Sequence, residues 1–280
     1  MNAIHTRRRM REMRRKWILL FCTAMVWLSA CGGEEPQTAK RTLIVATDAT
    51  LPPMSFLNDQ NQLAGFEIDL IDAVAKQAGF EYDLINVEWN GLFGGLITKK
   101  YDLVISSVTI LEERRERMAF SVPYLQSGLS LVVQRGTQGV TSLEDVQAQD
   151  GIVGAQRATT AFFYLEDYSE LNKQAYELYG HAIQDLIKGE IAAVLGESTG
   201  TLYYKNNDAA VFREIKMVGD ILTEEHYGIV ARKDEAELLQ RVNEALNKLL
   251  ADGTVARLHE KWELGQAAVV PKTIASGKED

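Results

Sequence analysis

An α/β fold built on a mostly parallel sheet is what this sequence predicts. From Arg41 onward, short β-rich runs alternate with segments of helical period, first over 42–114 and again from about 151. The composition, 46% hydrophobic and 25% charged, is that of a globular chain. Its 280 residues suffice for one large domain or two of ordinary size.

Each element supports that class in turn. Thr42 to Thr47 is a short β-rich run. Phe66 to Ala78 sets Phe66, Leu70, Ile71, Val74 and Ala78 on one helical face. Glu81 to Val87 alternates as a strand, Leu92 to Thr98 reads as a short helix, and Asp102 to Ser106 as a buried strand. Thr109-Ile110-Leu111-Glu112 fits a capping box that opens a helix carrying Arg114. Further on, Gly151 to Ala155 predicts a strand, Thr159-Thr160 a helix start and Ala182 to Lys188 a helix. Ile191 to Leu195 predicts a strand, with Ser198 or Thr199 capping the next helix. From about Asp234 to Ala251, Leu238, Leu239, Val242, Leu246 and Leu249 share a face, and Asp252-Gly253 stops the helix. A shorter helix reaches about Trp262, and Thr273 to Asp280 reads as a loose tail.

In open α/β sheets, ligands bind outside the carboxyl ends of the strands. That rule selects the positions after Thr47, Ile105, Ala155 and Leu195. Polar residues follow each: Asp48; Ser106, Ser107 and Thr109; Gln156, Thr159 and Thr160; Glu197 and Ser198.

Positions 1–30 stand apart from the globule. Seven basic residues from Arg7 to Lys16 precede an apolar stretch, Trp17 to Trp27, which ends in Leu28-Ser29-Ala30-Cys31-Gly32-Gly33. A basic head, a short apolar middle and small residues at the cut describe a secretory signal. The stretch is shorter than the roughly 20 residues of a bilayer span. Leu-Ser-Ala-Cys resembles the bacterial lipobox, which implies cleavage before Cys31, lipidation of its thiol and a tether over 31–40. Cys22 is lost with the signal, so the exported globule has no disulfide and rests on its core alone. Losing seven basic residues and Glu12 turns 30 basic and 39 acidic residues into 23 and 38, net −15. That charge argues against nucleic acid as a partner.

Gly65-Phe66-Glu67-Ile68-Asp69-Leu70, with Val74, Ala75 and Ala78 at helical spacing, resembles the signature of the bacterial solute-binding proteins of family 3. So, in the same order, do Thr47-Asp48 to Phe56, Ser106-Ser107-Val108-Thr109 to Arg114, Phe120-Ser121 to Gly128, and Tyr227-Gly228-Ile229. The resemblance covers about 41–265. It implies a two-lobed fold of the type II periplasmic-binding kind, with lobe 1 at 41–123 and 228–265 and lobe 2 at 129–222. Hinge strands fall at 124–128 and 223–227, and 266–280 is a C-terminal tail. It implies an extracytoplasmic, monomeric amino-acid receptor, with a membrane permease of an ABC importer as partner and no cofactor.

The resemblance also implies roles. Arg114 holds the ligand α-carboxylate, as a guanidinium fork suits, helped by Thr109 through its N–H and hydroxyl. The 106–107 backbone receives the α-amino group. Thr159 and Thr160 close over the carboxylate, with Ala158 where the family usually has Gly. Glu197 stands where Asp usually meets the ammonium. Trp89 lines one side of the ligand, and Leu51 replaces a second aromatic. Asp48 and Gln156 lie near the far end of the ligand, where Asp48 suits a cation or amide. No basic residue obviously receives a side-chain carboxylate unless Arg157 turns inward. Glu67 and Asp69 of the signature read as solvated or capping charges.

His5, His181, His226 and His259 lack metal-ligand spacing, and 91–95 lacks a phosphate-binding fingerprint. The expectation is a binding protein, not an enzyme. The alternative is a cyclohexadienyl dehydratase on the same fold, with Glu197 as proton donor. The N-terminal reading predicts that the mature protein partitions into detergent and that Cys31→Ala abolishes this; a Cys31→Ala protein still carrying lipid refutes it.

Overall fold

The computed structural model describes residues 41–201 and 209–272. The expected signal, Cys31 with its tether, and Thr273 onward lie outside them. The chain runs through β1 (Leu43–Thr47), β2 (Thr50–Leu51), β3 (Ser55–Leu57), β4 (Leu63–Ala64), α1 (Phe66–Ala78), β5 (Tyr82–Asn86), α2 (Trp89–Ile97) and β6 (Leu103–Val104). Next come α3 (Glu112–Arg115), β7 (Ala119–Phe120), β8 (Leu125–Ser127), β9 (Leu129–Gln134), α4 (Leu143–Ala148), β10 (Ile152–Gln156), α5 (Thr160–Glu166) and β11 (Asn172–Tyr176). Then follow α6 (Tyr179–Lys188), β12 (Ala193–Glu197), α7 (Ala209–Glu214), β13 (Ile215–Val218), β14 (Glu225–Tyr227), β15 (Val230–Ala231), α8 (Ala236–Ala251) and α9 (Thr254–Lys261).

These form two lobes with the same plan. One sheet has the order β5-β1-β6-β15-β7, the other β11-β10-β12-β9-β13. In each, three neighbouring strands run parallel, and one strand, β15 or β9, runs against the rest. The expected mostly parallel α/β class is therefore what forms. Between the sheets, β8 and β14 pair as an antiparallel ribbon, Leu125 against Tyr227 and Ser127 against Glu225. Residues just past α9 dock on this ribbon, where Val269 and Gln126 exchange both backbone hydrogen bonds.

Both sheets are covered on both faces, so their central strands are apolar on both sides. Consecutive residues of β1 feed different cores. Val45 packs with Leu70, Ile71 and Val74 of α1 and Val242 and Leu246 of α8. Ala46 packs with Leu92 and Leu96 of α2. In the second lobe, Val153 and Leu195 join Leu143, Val146 and Leu165 on one side, while Val132 and Val194 join Ile183 and Leu186 on the other.

Helix starts show where periodicity misleads. α1 spans the expected residues. α2 and α6 each begin three residues before the apolar periodicity at Leu92 and Ala182, placing Trp89 and Tyr179 in their first turns. The capping box expected at Thr109 does not form. Leu111 is extended, α3 opens at Glu112, and no side chain caps it. The Thr109 hydroxyl instead bonds to Glu225.

At the head of α1, Gly65 has φ 135 and ψ 172. This lets the chain press against the 53–54 segment, where Phe66 N–H donates to the Pro53 carbonyl and Glu67 N–H to that of Met54. A Cβ on Gly65 would lie 2.1 Å from the Met54 oxygen. Gly65→Ala adds that clash to a backbone region essentially reserved for glycine, and is expected to cost about 3 kcal/mol, read as a lower urea midpoint at unchanged slope.

Candidate functional site

The carboxyl ends of β1, β6, β10 and β12 converge on one cavity between the lobes. Every candidate ligand-binding residue lines it: Asp48, Leu51, Trp89, Ser106, Ser107, Thr109, Arg114, Gln156, Thr159, Thr160 and Glu197. Tyr179, Ala161, Leu195 and Gly196 complete the second-lobe wall.

Asp48 leaves the end of β1, and its N–H donates to the Ser106 hydroxyl at 3.0 Å. Its carboxylate is buried, and Oδ1 has no partner. Burial raises its pKa to about 6, against opposing hydrogen bonds from the Thr50 side chain and the Trp89 backbone.

Ser107 follows β6 with φ 47, in the left-handed region. Glu67 holds it there. The Ser107 N–H and hydroxyl donate to Glu67 Oε1 at 2.5 and 3.1 Å. Ser55 donates to Oε2 at 2.8 Å, and the Tyr124 hydroxyl donates to Oε1. Glu67 is fully buried, so the reading of it as a solvated or capping charge is wrong. Burial pushes its carboxyl above the ordinary range, and the four donors oppose that shift. Asp69 is no free surface charge either, since it accepts from Lys261 Nζ and Trp262 Nε1.

Arg114 is the cation of the cavity and is 9% exposed. One guanidinium nitrogen donates to the Thr109 carbonyl at 3.0 Å, and the group lies 5.6 Å from the Trp89 ring centroid and 5.2 Å from that of Phe93. Burial lowers its pKa, while the charges of Glu225 and Glu197 act to raise it.

The second lobe supplies the opposite wall. Thr159 caps α5, accepting from Phe162 N–H and donating to the Gln156 carbonyl. Gln156 Nε2 donates to the Glu177 carbonyl. Arg157 does not turn inward; it is exposed and pairs with Glu177 at 3.2 Å. Ala158 holds φ 58, and its carbonyl accepts from Trp89 Nε1 at 3.0 Å across the cleft. The departure from glycine thus leaves the left-handed turn intact. A second cross-cleft bond joins Asn90 Nδ2 to Glu177 Oε2 at 2.6 Å.

Glu197 accepts from the Tyr227 hydroxyl. Burial, and then the like charge of Glu225, push its carboxyl well above the ordinary range. Leu51 reaches over from the first lobe; its Cδ1 and the Tyr179 ring lie 3.1 and 3.2 Å from where a Gly200 Cβ would stand. Sequence reasoning missed Tyr179, Tyr124 and Glu225. The signal for Tyr179 was its place one turn before the apolar periodicity of α6; buried Glu225 gave no pattern signal at all.

Comparison with known proteins adds identity to this geometry. The model of the bacterial extracellular solute-binding proteins, family 3, matches residues 43–266. The L-cystine-binding protein TcyJ of Escherichia coli K12 is 32% identical over 225 residues, covering 79% of this chain and 82% of that protein. An ancestral arginine-binding protein bound to arginine superposes with a TM-score of 0.74 at 33% identity, over 80% of this chain and 99% of that one. The ancestral amino-acid-binding protein AncCDT-1, a precursor of cyclohexadienyl dehydratase, gives 0.72 at 33% identity, over 79% and 95%. With a buried guanidinium and several carboxylates facing one interlobe cavity, and with the family match spanning nearly all described residues, this chain belongs to the bacterial extracellular solute-binding proteins, family 3.

Proposed function

We propose that this protein captures a basic or polar neutral L-amino acid outside the cytoplasm and passes it to the permease of an ABC importer, tethered by lipid on Cys31. Capture closes the lobes about the ribbon of β8 and β14. Arg114 takes the α-carboxylate in a bidentate pair. The 106–107 turn and Glu197 take the α-ammonium, which draws Glu197 toward its ionised form. The ligand side chain runs along Trp89, with Leu51, Tyr179 and Gln156 around it, toward Asp48.

The observation that carries this reading is the buried, unpartnered Oδ1 of Asp48. A buried carboxylate oxygen without a partner is costly, and a cationic or amide ligand end relieves that cost. An acidic end worsens it. We therefore favour the basic set, arginine and lysine, over glutamine. Trp89 adds about 0.5–2 kcal/mol by holding a cation over its face.

A second reading rests on the raised carboxyl of Glu197 and the likeness to AncCDT-1. A protonated acid in the cleft is what a dehydratase needs. Incubation with prephenate or arogenate and assay for product tests it.

Arg114→Ala should weaken L-arginine binding by about 3–5 kcal/mol, because a ligand carboxylate is left buried and unpaired. Arg114→Lys should restore part of this, since a point charge lacks the fork. Near-normal calorimetric affinity for Arg114→Ala refutes the assignment. The sign of the pH effect follows from Asp48. Its folded pKa of about 6 exceeds the ordinary 3.8, so its contribution to folding is present in acid and lost as pH rises through 6. A cationic ligand favours the ionised form, so affinity for L-arginine should rise about tenfold from pH 5 to 7. Affinity for L-glutamine should change less, and Asp48→Asn should flatten the arginine profile. Glutamate binding tightest would overturn the charge argument.

A further inference from the structure

Glu225 sits in β14, is 5% exposed and does not line the ligand cavity. It stands behind two residues that do. Its Oε2 accepts from the Thr109 hydroxyl of the first lobe at 2.5 Å and from the Thr160 hydroxyl of the second at 3.0 Å. Its Oε1 accepts from Thr223 at 3.1 Å. The approach of Thr160 to Glu197, at 3.4 Å, is the longer of that hydroxyl's two contacts.

A hydroxyl has one hydrogen to give and two lone pairs to offer. An ionised carboxylate only accepts. Once Thr109 and Thr160 donate to Glu225, they have no proton left for the ligand α-carboxylate. That group is left to Arg114 and backbone N–H donors. With their hydrogens committed to Glu225, the hydroxyls of these two cavity-lining residues keep only lone pairs to offer, which suit an ammonium. We propose that Glu225 is a positioning residue: one ribbon-borne carboxylate fixes Thr109 and Thr160, from opposite lobes, as acceptors for the ligand's α-ammonium. The site thereby discriminates against ligands that carry the carboxylate and side chain but lack the α-amino group. This inference rests on the amino-acid reading of the cavity.

The test compares L-arginine with 5-guanidinopentanoate, its analogue without the α-amino group, on the full mature protein. Glu225→Leu removes the acceptor and frees both hydroxyls to rotate. The preference for arginine should fall about tenfold, the worth of one to two hydrogen bonds, through weaker arginine and unchanged or tighter analogue. Glu225→Gln, whose amide oxygen still accepts from both hydroxyls, should retain most of the preference. Thr160→Val should reduce it, and combining Thr160→Val with Glu225→Leu should add less than the sum, because both remove the same contact. Equal weakening of both ligands by Glu225→Leu marks a merely structural role and overturns the proposal. If Glu225→Leu does not fold, Thr160→Val with an unchanged preference overturns it equally. A wild type that binds arginine with variants that keep the preference defeats this inference alone. A wild type that binds none of arginine, lysine, glutamine, histidine and glutamate defeats the amino-acid reading, and this inference with it.

Discussion

The buried carboxylate of Glu67 is the constraint on which the first lobe depends. It is fully buried in the first turn of α1 and binds four donors from three other segments: Ser55 of β3, the amide and hydroxyl of Ser107, and Tyr124 beside the ribbon. A buried charge stripped of such partners is strongly destabilising, so these segments are locked in one arrangement. The lock reaches function through Ser107. Its left-handed backbone is held by Glu67, and both Ser106 and Ser107 line the cleft. Helix, ribbon and binding turn are in this way one polar network, and a satisfied buried network specifies a single geometry.

Cleft electrostatics build on that frame. Arg114 shares its field with Glu225 and Glu197, while Asp48, on the same cavity wall, carries an orphan oxygen. Burial raises both Asp48 and Glu197, so each holds its proton more tightly than a free carboxyl, and an arriving cation acts against that. On the proposed reading, this distribution suits a ligand carrying one carboxylate and more than one positive centre. Trp89, Leu51 and Tyr179 give the cavity its apolar surfaces.

Away from the ribbon, side-chain hydrogen bonds and the packing of Leu51 against the second lobe join the two lobes. Trp89 reaches the Ala158 carbonyl, and Asn90 reaches Glu177. The first depends on a left-handed turn at an alanine, which costs about 1 kcal/mol relative to a relaxed backbone. The hydrogen bond it accepts, and the capping of α5 next door by Thr159, offset that strain. Individually modest, these contacts suit the reversible closure proposed above.

Much of this was legible in the sequence because it is local. The periods of α1 and α8, the strand runs and the polar residues after each strand end depend on neighbours a few positions apart, so pattern picked out the polar candidates, whereas Arg114, Trp89 and Leu51 came from the family resemblance. The first turns of α2 and α6 were not legible, because Trp89 and Tyr179 face the cleft and lie off the apolar stripe that periodicity detects. Two-residue strands such as β6 and β15 owe their existence to partners distant in the chain. Glu67 read as a surface charge because helical position is visible in sequence, whereas Ser55, Ser107 and Tyr124 meet it only after folding. Glu225 was invisible for the same reason: its partners, Thr109 and Thr160, lie 116 and 65 residues away. By itself the sequence determined most of the elements, the fold class and a set of candidate binding residues. Tertiary structure alone decided which carboxylates are buried and which hydroxyls they claim, because burial and hydrogen-bond partnership are properties of long-range packing that no local pattern encodes.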